Sequence, residues 1–133
     1  MNVTSKSRYA LQIMLDLAKS KKGILRKRNQ LSEKHKISPN YMNKIILGLK
    51  SSGLIEGCRG SCGGLRLLRP ACGISVWDVV AAVEDRMSPV ACVHDIKSCS
   101  IYESCLSKDV WRSMFSDVKA SFESRKLSSF LDS

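Results

Sequence analysis

The 133-residue sequence has no apolar run near the length of a membrane-spanning helix, about 20 residues. Its first eight residues carry no apolar stretch behind basic residues, the pattern of a secretory signal. Histidine occurs only at His35 and His94, and no cysteine lies in a motif for nucleophilic catalysis. These absences disfavour a membrane protein, a secreted protein and an enzyme, so we expect a soluble cytoplasmic protein.

Acidic residues are scarce in the N-terminal half. Residues 1–72 contain 15 Lys and Arg but only 3 Asp and Glu, a net charge of +12, whereas residues 73–133 have a net charge of −2. A basic segment joined to a near-neutral one is typical of a nucleic-acid-binding unit attached to a second element. A basic surface that only aids solubility is the alternative.

Two short helices are predicted after a first helix that Ser5 caps. One begins at Asn29 as its N-cap and ends at His35; a tight turn leads to the next, which Ser38 caps and Pro39 opens. This pattern predicts a helix-turn-helix, although an ordinary corner of two helices shares it. The candidate DNA contacts at its second helix are Ser38, Asn40, Tyr41, Asn43 and Lys44.

A glycine-rich hairpin is predicted directly after these helices. Strands at residues 54–58 and 65–68 flank a turn that carries Arg59 and three glycines. A phosphate-binding loop would need a helix straight after the glycines, and none is predicted there. We therefore interpret the hairpin as the wing of a winged helix, with Arg59 entering a minor groove of DNA.

The C-terminal half is predicted to contain two helices with an irregular segment between them. Ser75 and Asp78 form a capping box for a helix that ends near Glu84. After residue 106, apolar residues recur every three to four positions and predict a long helix. This stripe is too apolar for a solvent-exposed helix, so we expect it to pack on a second copy of the chain; packing on its own domain is the alternative.

Three of the six cysteines, Cys92, Cys99 and Cys105, lie in the irregular segment. Their spacing lacks the close C-x2-C pair of structural zinc sites and favours an iron–sulfur cluster over zinc, with three unconnected cysteines as a further alternative. A fourth ligand would come from the partner chain or from a nearby residue. The nearby candidates are His94, Glu103 and Asp109.

The other three cysteines lie in or beside the hairpin. Cys58 and Cys72 are interpreted as structural, because a cysteine in or near a short strand is usually a small apolar residue. Cys62, at the predicted tip, is expected to be exposed and open to oxidation.

In order and spacing, these segments resemble the bacterial winged-helix iron–sulfur regulators, the family that includes IscR and NsrR. The matching positions are 4–10, 14–16, 31–33, 37–38, 41, 53–54, 59–60, 63–64, the three cysteines, Leu106 and Trp111. The resemblance implies a homodimer on double-stranded DNA, with the helix from Pro39 in the major groove and the Arg59 turn in the minor groove. It also implies a [2Fe–2S] or [4Fe–4S] cluster on the three cysteines.

Three positions depart from the family pattern. Lys108 stands where IscR-like members carry His, and Arg8 stands where NsrR-like members can carry a carboxylate. The usual wing turn Arg-Gly-Pro-Gly-Gly-Gly also differs at residues 61 and 62. The fourth ligand and the cluster type therefore stay open, with His94 favoured over Asp109, and so do the DNA contacts of the wing tip.

Together these patterns predict a mainly α protein with a small β wing. It divides into a winged helix-turn-helix DNA-binding domain (1–72), a helix and cluster-binding loop (73–106), and a dimerisation helix with a tail (107–133). The predicted function is a sequence-specific DNA-binding transcription regulator, such as a repressor, controlled by a cluster that senses cluster status, redox state or nitric oxide. The alternatives are a cluster-free regulator that senses through a partner protein or thiol oxidation, and a metal- or thiol-dependent enzyme.

Overall fold

The computed structural model describes residues 3–21, 24–61 and 63–131. Over these ranges the chain forms five α-helices and one antiparallel hairpin. Their bounds are α1 Ser5–Lys19, α2 Arg28–His35, α3 Pro39–Ser51, β1 Ile55–Cys58, β2 Gly64–Leu67, α4 Val76–Val83 and α5 Lys108–Glu123. The predicted mainly α class with a small β wing is confirmed. No helix within these ranges is long and apolar enough to cross a bilayer.

The core lies between α1, α3 and α4. Apolar residues at helical spacing on these three helices are shielded from solvent, as the periodicity predicts. They include Ala10, Ile13, Met14, Met42, Ile45, Leu49 and Val79. Leu127, from the short 3-10 turn Leu127–Phe130 after α5, is fully buried in the same cluster. The segment after α5 thus returns to the core of the helix-turn-helix unit.

Capping residues set the helix ends, with two differences from the sequence prediction. Ser38 Oγ accepts a hydrogen bond from Tyr41 N at 3.3 Å, and Ser75 forms the predicted capping box with Asp78. The cap of α1 is Thr4 rather than Ser5, whose hydroxyl bonds to the Tyr41 hydroxyl instead. Asn29 is not the cap of α2, because that helix already begins at Arg28.

The hairpin is closed by four opposed residue pairs, ending with Cys58 opposite Gly64. Arg26 adds one further bridge beside β2: its N donates to Leu65 O at 3.1 Å and its O accepts from Leu65 N at 2.8 Å. The segment before α2 therefore fixes the base of the hairpin against the helices.

Asp16 is a nearly buried carboxylate that joins α1 to α2. Lys34 Nζ lies 2.8 Å and His35 Nε2 3.0 Å from its oxygens, and Arg26 Nε lies 3.7 Å away. Burial alone would raise the pKa of Asp16, but hydrogen bonds from Lys34 and His35 and the nearby positive charges outweigh it, and the net shift is downward. Asp16 is therefore ionised in the folded protein.

One face of α5 packs on α4. The ring of Trp77 meets Phe115 and Phe122 edge to face, with centroids 5.9 and 6.2 Å apart. Val110 and Met114, one turn apart on α5, keep 55% and 49% of their surface exposed. The apolar stripe is thus divided between a face covered by the chain itself and a face that the monomer leaves open.

Candidate nucleic-acid interface and cysteine segment

Four of the predicted DNA contacts are exposed on or beside α3: Ser38, Asn40, Asn43 and Lys44. Ser38 caps α3, so its hydroxyl oxygen already accepts a hydrogen bond from Tyr41 N. Asn40, Asn43 and Lys44 lie in the first two turns of α3, the part of a recognition helix that contacts base edges in the major groove.

Tyr41 is only half exposed, because it also ties α3 to α1. Its hydroxyl lies 2.8 Å from Ser5 Oγ, and its ring meets that of Tyr9 edge to face, with centroids 5.8 Å apart. The sequence analysis grouped Tyr41 with the candidate DNA contacts of this helix. The structure places it at the junction of the first turns of α1 and α3, where it sets how the two helices meet.

Arg59 follows β1 at the turn of the hairpin and is exposed. Gly60 has a φ of 108°, a backbone conformation that side chains disfavour, and Gly63 N donates to Gly60 O at 2.9 Å. Arg66 lies one strand away but pairs with Glu56 directly opposite it. Of these two hairpin arginines, Arg66 therefore has its charge offset by a facing carboxylate, whereas Arg59 is exposed at the turn. Cys62, predicted at the tip, lies outside the described residues.

The three cysteines lie on successive 3-10 turns of the cysteine segment, residues 85–107. Cys92 is in the turn Ala91–Val93, whereas Cys99 and Cys105 each follow such a turn. All three are half-buried free thiols. The hydrogen bond from Ser107 and the nearby Lys108 lower the pKa of Cys105, which favours the thiolate needed to bind metal.

The cysteine segment does not form a closed metal site in the single chain. Among residues 3–21, 24–61 and 63–131, no three His, Cys, Asp or Glu side chains lie close enough to hold a metal ion. His94 is exposed, with its ring edge to face with Phe115 at 5.6 Å. Glu103 and Asp109, the other candidate ligands, are exposed as well.

Glu84, the residue after α4, connects the start of the cysteine segment to α1. Its Oε1 accepts hydrogen bonds from Thr4 N at 2.8 Å, Thr4 Oγ1 at 2.7 Å and Ser7 Oγ at 2.6 Å. Burial alone raises the pKa of Glu84, but the bonds from Ser7 and Thr4 outweigh it and the net shift is downward. Sequence reasoning missed this role because the partners lie 77 to 80 residues away.

Arg28 is a second residue that sequence reasoning missed. The sequence prediction began this helix at Asn29 and so left Arg28 outside it. In the structure it is the first residue of α2, and its Nη1 donates to Asn43 Oδ1 at 2.7 Å. The available signal was the basic run at residues 26–28 just before a predicted helix-turn-helix.

Comparison with known proteins agrees with this fold. The pattern of the Rrf2 family, described as an iron-dependent transcriptional regulator, matches residues 3–133. The HTH-type transcriptional regulator IscR of Vibrio atlanticus is 33% identical over 120 residues, 90% of this chain and 69% of that protein.

Two solved structures of CymR superpose on nearly the whole chain. CymR of B. subtilis, described as its global cysteine regulator, gives a TM-score of 0.78 at 23% identity and covers 99% of this chain and 97% of its own. The oxidised form of Staphylococcus aureus CymR gives 0.75 at 26% identity, covering 100% and 98%. With the family pattern extending over both the helix-turn-helix and the cysteine segment, this chain belongs to the Rrf2 family of helix-turn-helix transcription regulators.

Proposed function

We propose that this regulator binds double-stranded DNA as a homodimer, through α3 and the hairpin, and that an iron–sulfur cluster on Cys92, Cys99 and Cys105 controls its affinity. One observation carries the proposal: the cysteine segment, with its three half-buried thiols, directly follows Glu84, whose carboxylate is hydrogen-bonded to the first turn of α1. The same turn holds Tyr41 of α3 through Ser5.

The donor set suits an iron–sulfur cluster by its chemistry. Three free thiols, one with a lowered pKa, are the ligands that such clusters take, and no two of these three cysteines have the close spacing of a structural zinc site. Because the thiols are not gathered in the single chain, their convergence requires the 3-10 turns to rearrange, with a fourth ligand from His94 or from the partner chain. A bound cluster supplies a centre that reacts with oxygen or nitric oxide.

The chain's own residues supply the connection to DNA. When the cysteine segment rearranges, the position of Glu84 changes relative to α1, and the cap on the first turn of α1 is strengthened or lost. Ser5 in that turn holds the Tyr41 hydroxyl. The orientation of α3 therefore depends on the state of the cysteine segment, and a cofactor alters DNA affinity only to the extent that it favours one of these arrangements.

The test is anaerobic reconstitution with iron and sulfide, followed by titration of one DNA fragment, selected by the protein from a random pool, at a fixed salt concentration. We expect visible absorbance from the loaded protein and an affinity that differs by at least about tenfold between loaded and cluster-free forms. Cys92→Ala, Cys99→Ala and Cys105→Ala should each abolish the absorbance. Cys58→Ala and Cys72→Ala are matched controls and should leave it intact.

A second candidate is a cluster-free regulator that senses through thiol oxidation or a partner protein. Its support is the likeness to CymR and the absence of a gathered metal site among the described residues. Colourless protein after reconstitution, with DNA affinity that changes on treatment with peroxide, would favour this candidate. Equal affinities in every state tested would leave neither form of sensing supported.

A further inference from the structure

The hydrogen bond between Arg28 and Asn43 lies on the exposed side of the helix-turn-helix. Arg28 is the first residue of α2, and Asn43 is in the second turn of α3. Both side chains are open to solvent, and the distance from Nη1 to Oδ1 is 2.7 Å. A residue of the first helix thus holds a side chain of the second at the surface proposed to meet DNA.

Arg28 and Asn43 line a groove of about 490 Å³ between α2 and α3. The remaining lining residues are Asn29, Ser32, Glu33 and Pro39. Glu33 adds a negative charge to the lining of this groove, whereas Arg28 adds a positive one. The Glu33 carboxylate would repel a phosphate, whereas this mixture of charges and amides suits the edge of a base, which presents donors and acceptors together.

The amide of asparagine is a good partner for adenine, because its oxygen accepts from N6 while its amino group donates to N7. An exposed amide can rotate, so ordering it for this contact costs conformational entropy. The bond from Arg28 uses one of the two lone pairs on Asn43 Oδ1 and leaves the other lone pair and both amino hydrogens available. The amide is thereby held in one orientation without losing its capacity for adenine.

We infer that Arg28 is a positioning residue for base recognition, fixing the Asn43 amide so that it pairs with one adenine in each half of the DNA site. The inference rests on the proposed role of α3 as the recognition helix. It separates Arg28 from those cations of the basic half that act only by attraction to the phosphate backbone, an attraction that carries no preference for sequence.

Selection of DNA by the full-length protein from a random pool tests this inference. Wild-type protein should select adenine at one position of each half-site, and Asn43→Ala should lose that selection. Arg28→Ala should reduce the preference for adenine at that position by about tenfold and leave preferences elsewhere unchanged. Because both residues are exposed, thermal unfolding should show that neither variant alters the fold.

Lys27→Ala is the matched control, since it removes a neighbouring exposed charge that has no hydrogen bond to Asn43. It should weaken binding to all sequences alike and reduce the slope of log affinity against log salt by about one. The double variant Arg28→Ala/Asn43→Ala should show the base preferences of Asn43→Ala alone, because Arg28 acts through Asn43.

Two results would count against the inference and can be told apart. In the first, Asn43→Ala loses the adenine preference, while Arg28→Ala weakens binding to all DNA sequences equally, as Lys27→Ala does. Arg28 is then a phosphate contact, and only this inference is overturned. If Asn43→Ala and Lys44→Ala both leave affinity and selection unchanged, the proposed role of α3 is wrong, and the inference is overturned with it.

Discussion

Glu84 accepts hydrogen bonds from Thr4 and Ser7, and Ser7 is fully buried. Replacing Glu84 with Ala leaves a buried hydroxyl without its partner and removes the carboxylate from the start of α1. We expect Glu84→Ala to lower the free energy of unfolding by about 1–3 kcal/mol, measured by denaturant titration. Glu103 is an exposed carboxylate in the cysteine segment, and Glu103→Ala should change the free energy of unfolding by less than about 0.5 kcal/mol.

The lowered pKa of Glu84 also sets a direction for the effect of pH. Its folded-state pKa lies below the ordinary value of 4.5, and that of Asp16 lies below 3.8, so the unfolded chain binds more protons in acid. The two carboxylates stabilise the folded protein fully at a pH above these ordinary pKa values. That stabilisation is lost as the pH falls through their folded-state pKa values. Unfolding curves should show stability falling below about pH 5, with a shallower dependence in Glu84→Gln. An unchanged dependence in that variant would contradict the assignment.

Arg59 and Arg66 offer a comparison between two arginines of one hairpin. Arg59 is exposed at the turn, whereas Arg66 is paired with Glu56. We expect Arg59→Ala to weaken DNA binding by about 1–3 kcal/mol, as the loss of a groove contact does. Arg66→Ala should have a smaller effect because the Glu56 charge already offsets it. If both variants lose the same DNA affinity in a binding titration, the effect of Arg59 comes from its positive charge and not from a groove contact.

At the residue level, the sequence was informative where the partner is nearby. Ser38 and Ser75 cap helices through bonds to residues three positions on, and both were predicted. Ser5 was misassigned as a cap because its hydroxyl is taken by Tyr41, 36 residues away. Arg28 bonds to a residue 15 positions away and Glu84 to residues 77 to 80 positions away, so no local pattern could have indicated these bonds.

Among the elements, α3 and α4 approach each other closely at Gly48. A Cβ at this position would lie 2.6 Å from the carbonyl oxygen of Ala82 on α4. In an open helix, Gly→Ala would stabilise by up to about 1 kcal/mol, but here a fixed backbone atom opposes it. We expect Gly48→Ala to lower the unfolding free energy by about 1–3 kcal/mol in a denaturant titration.

Gly73→Ala is the control for Gly48→Ala. Its Cβ would make only ordinary contact, 3.8 Å from Pro70 Cγ. Stability changes of the same sign and size in both variants would show that the approach at Gly48 is not the cause.

The cysteine segment shows the limit of sequence reasoning at the level of elements. Its irregular character was predicted and its 3-10 turns agree with that. In the proposed function, convergence of its thiols requires a cofactor and a partner chain, which local patterning does not encode. The apolar stripe of α5 has the same limit. Phe115 and Phe122 contact Trp77, whereas Val110 and Met114 remain about half exposed, and periodicity alone did not separate the two pairs.

For the whole molecule, the open face of α5 is where we expect the second copy to pack. Val110 and Met114 are half exposed there, and Leu106 just before the helix is fully exposed. Met114→Glu should convert the dimer to a monomer in analytical ultracentrifugation and weaken DNA binding, because the two recognition helices would no longer be linked. Ser116 is exposed on another face of α5, so Ser116→Glu should leave both the dimer and DNA binding unchanged. A dimeric Met114→Glu protein would place the interface elsewhere.

Because Leu127 follows α5 in the sequence but belongs to the core, its position has a consequence while the chain is being synthesised. The core shared by α1, α3 and α4 is complete only when Leu127 is buried in it. The neighbouring residue Lys126 forms an antiparallel backbone bridge with Ser75. A nascent chain that has emerged only as far as α5 already carries every residue proposed to contact DNA, yet lacks a side chain whose loss from a core costs about 2–5 kcal/mol. Prematurely terminated products should therefore be cleared by proteases rather than compete with the finished regulator for its sites on the chromosome.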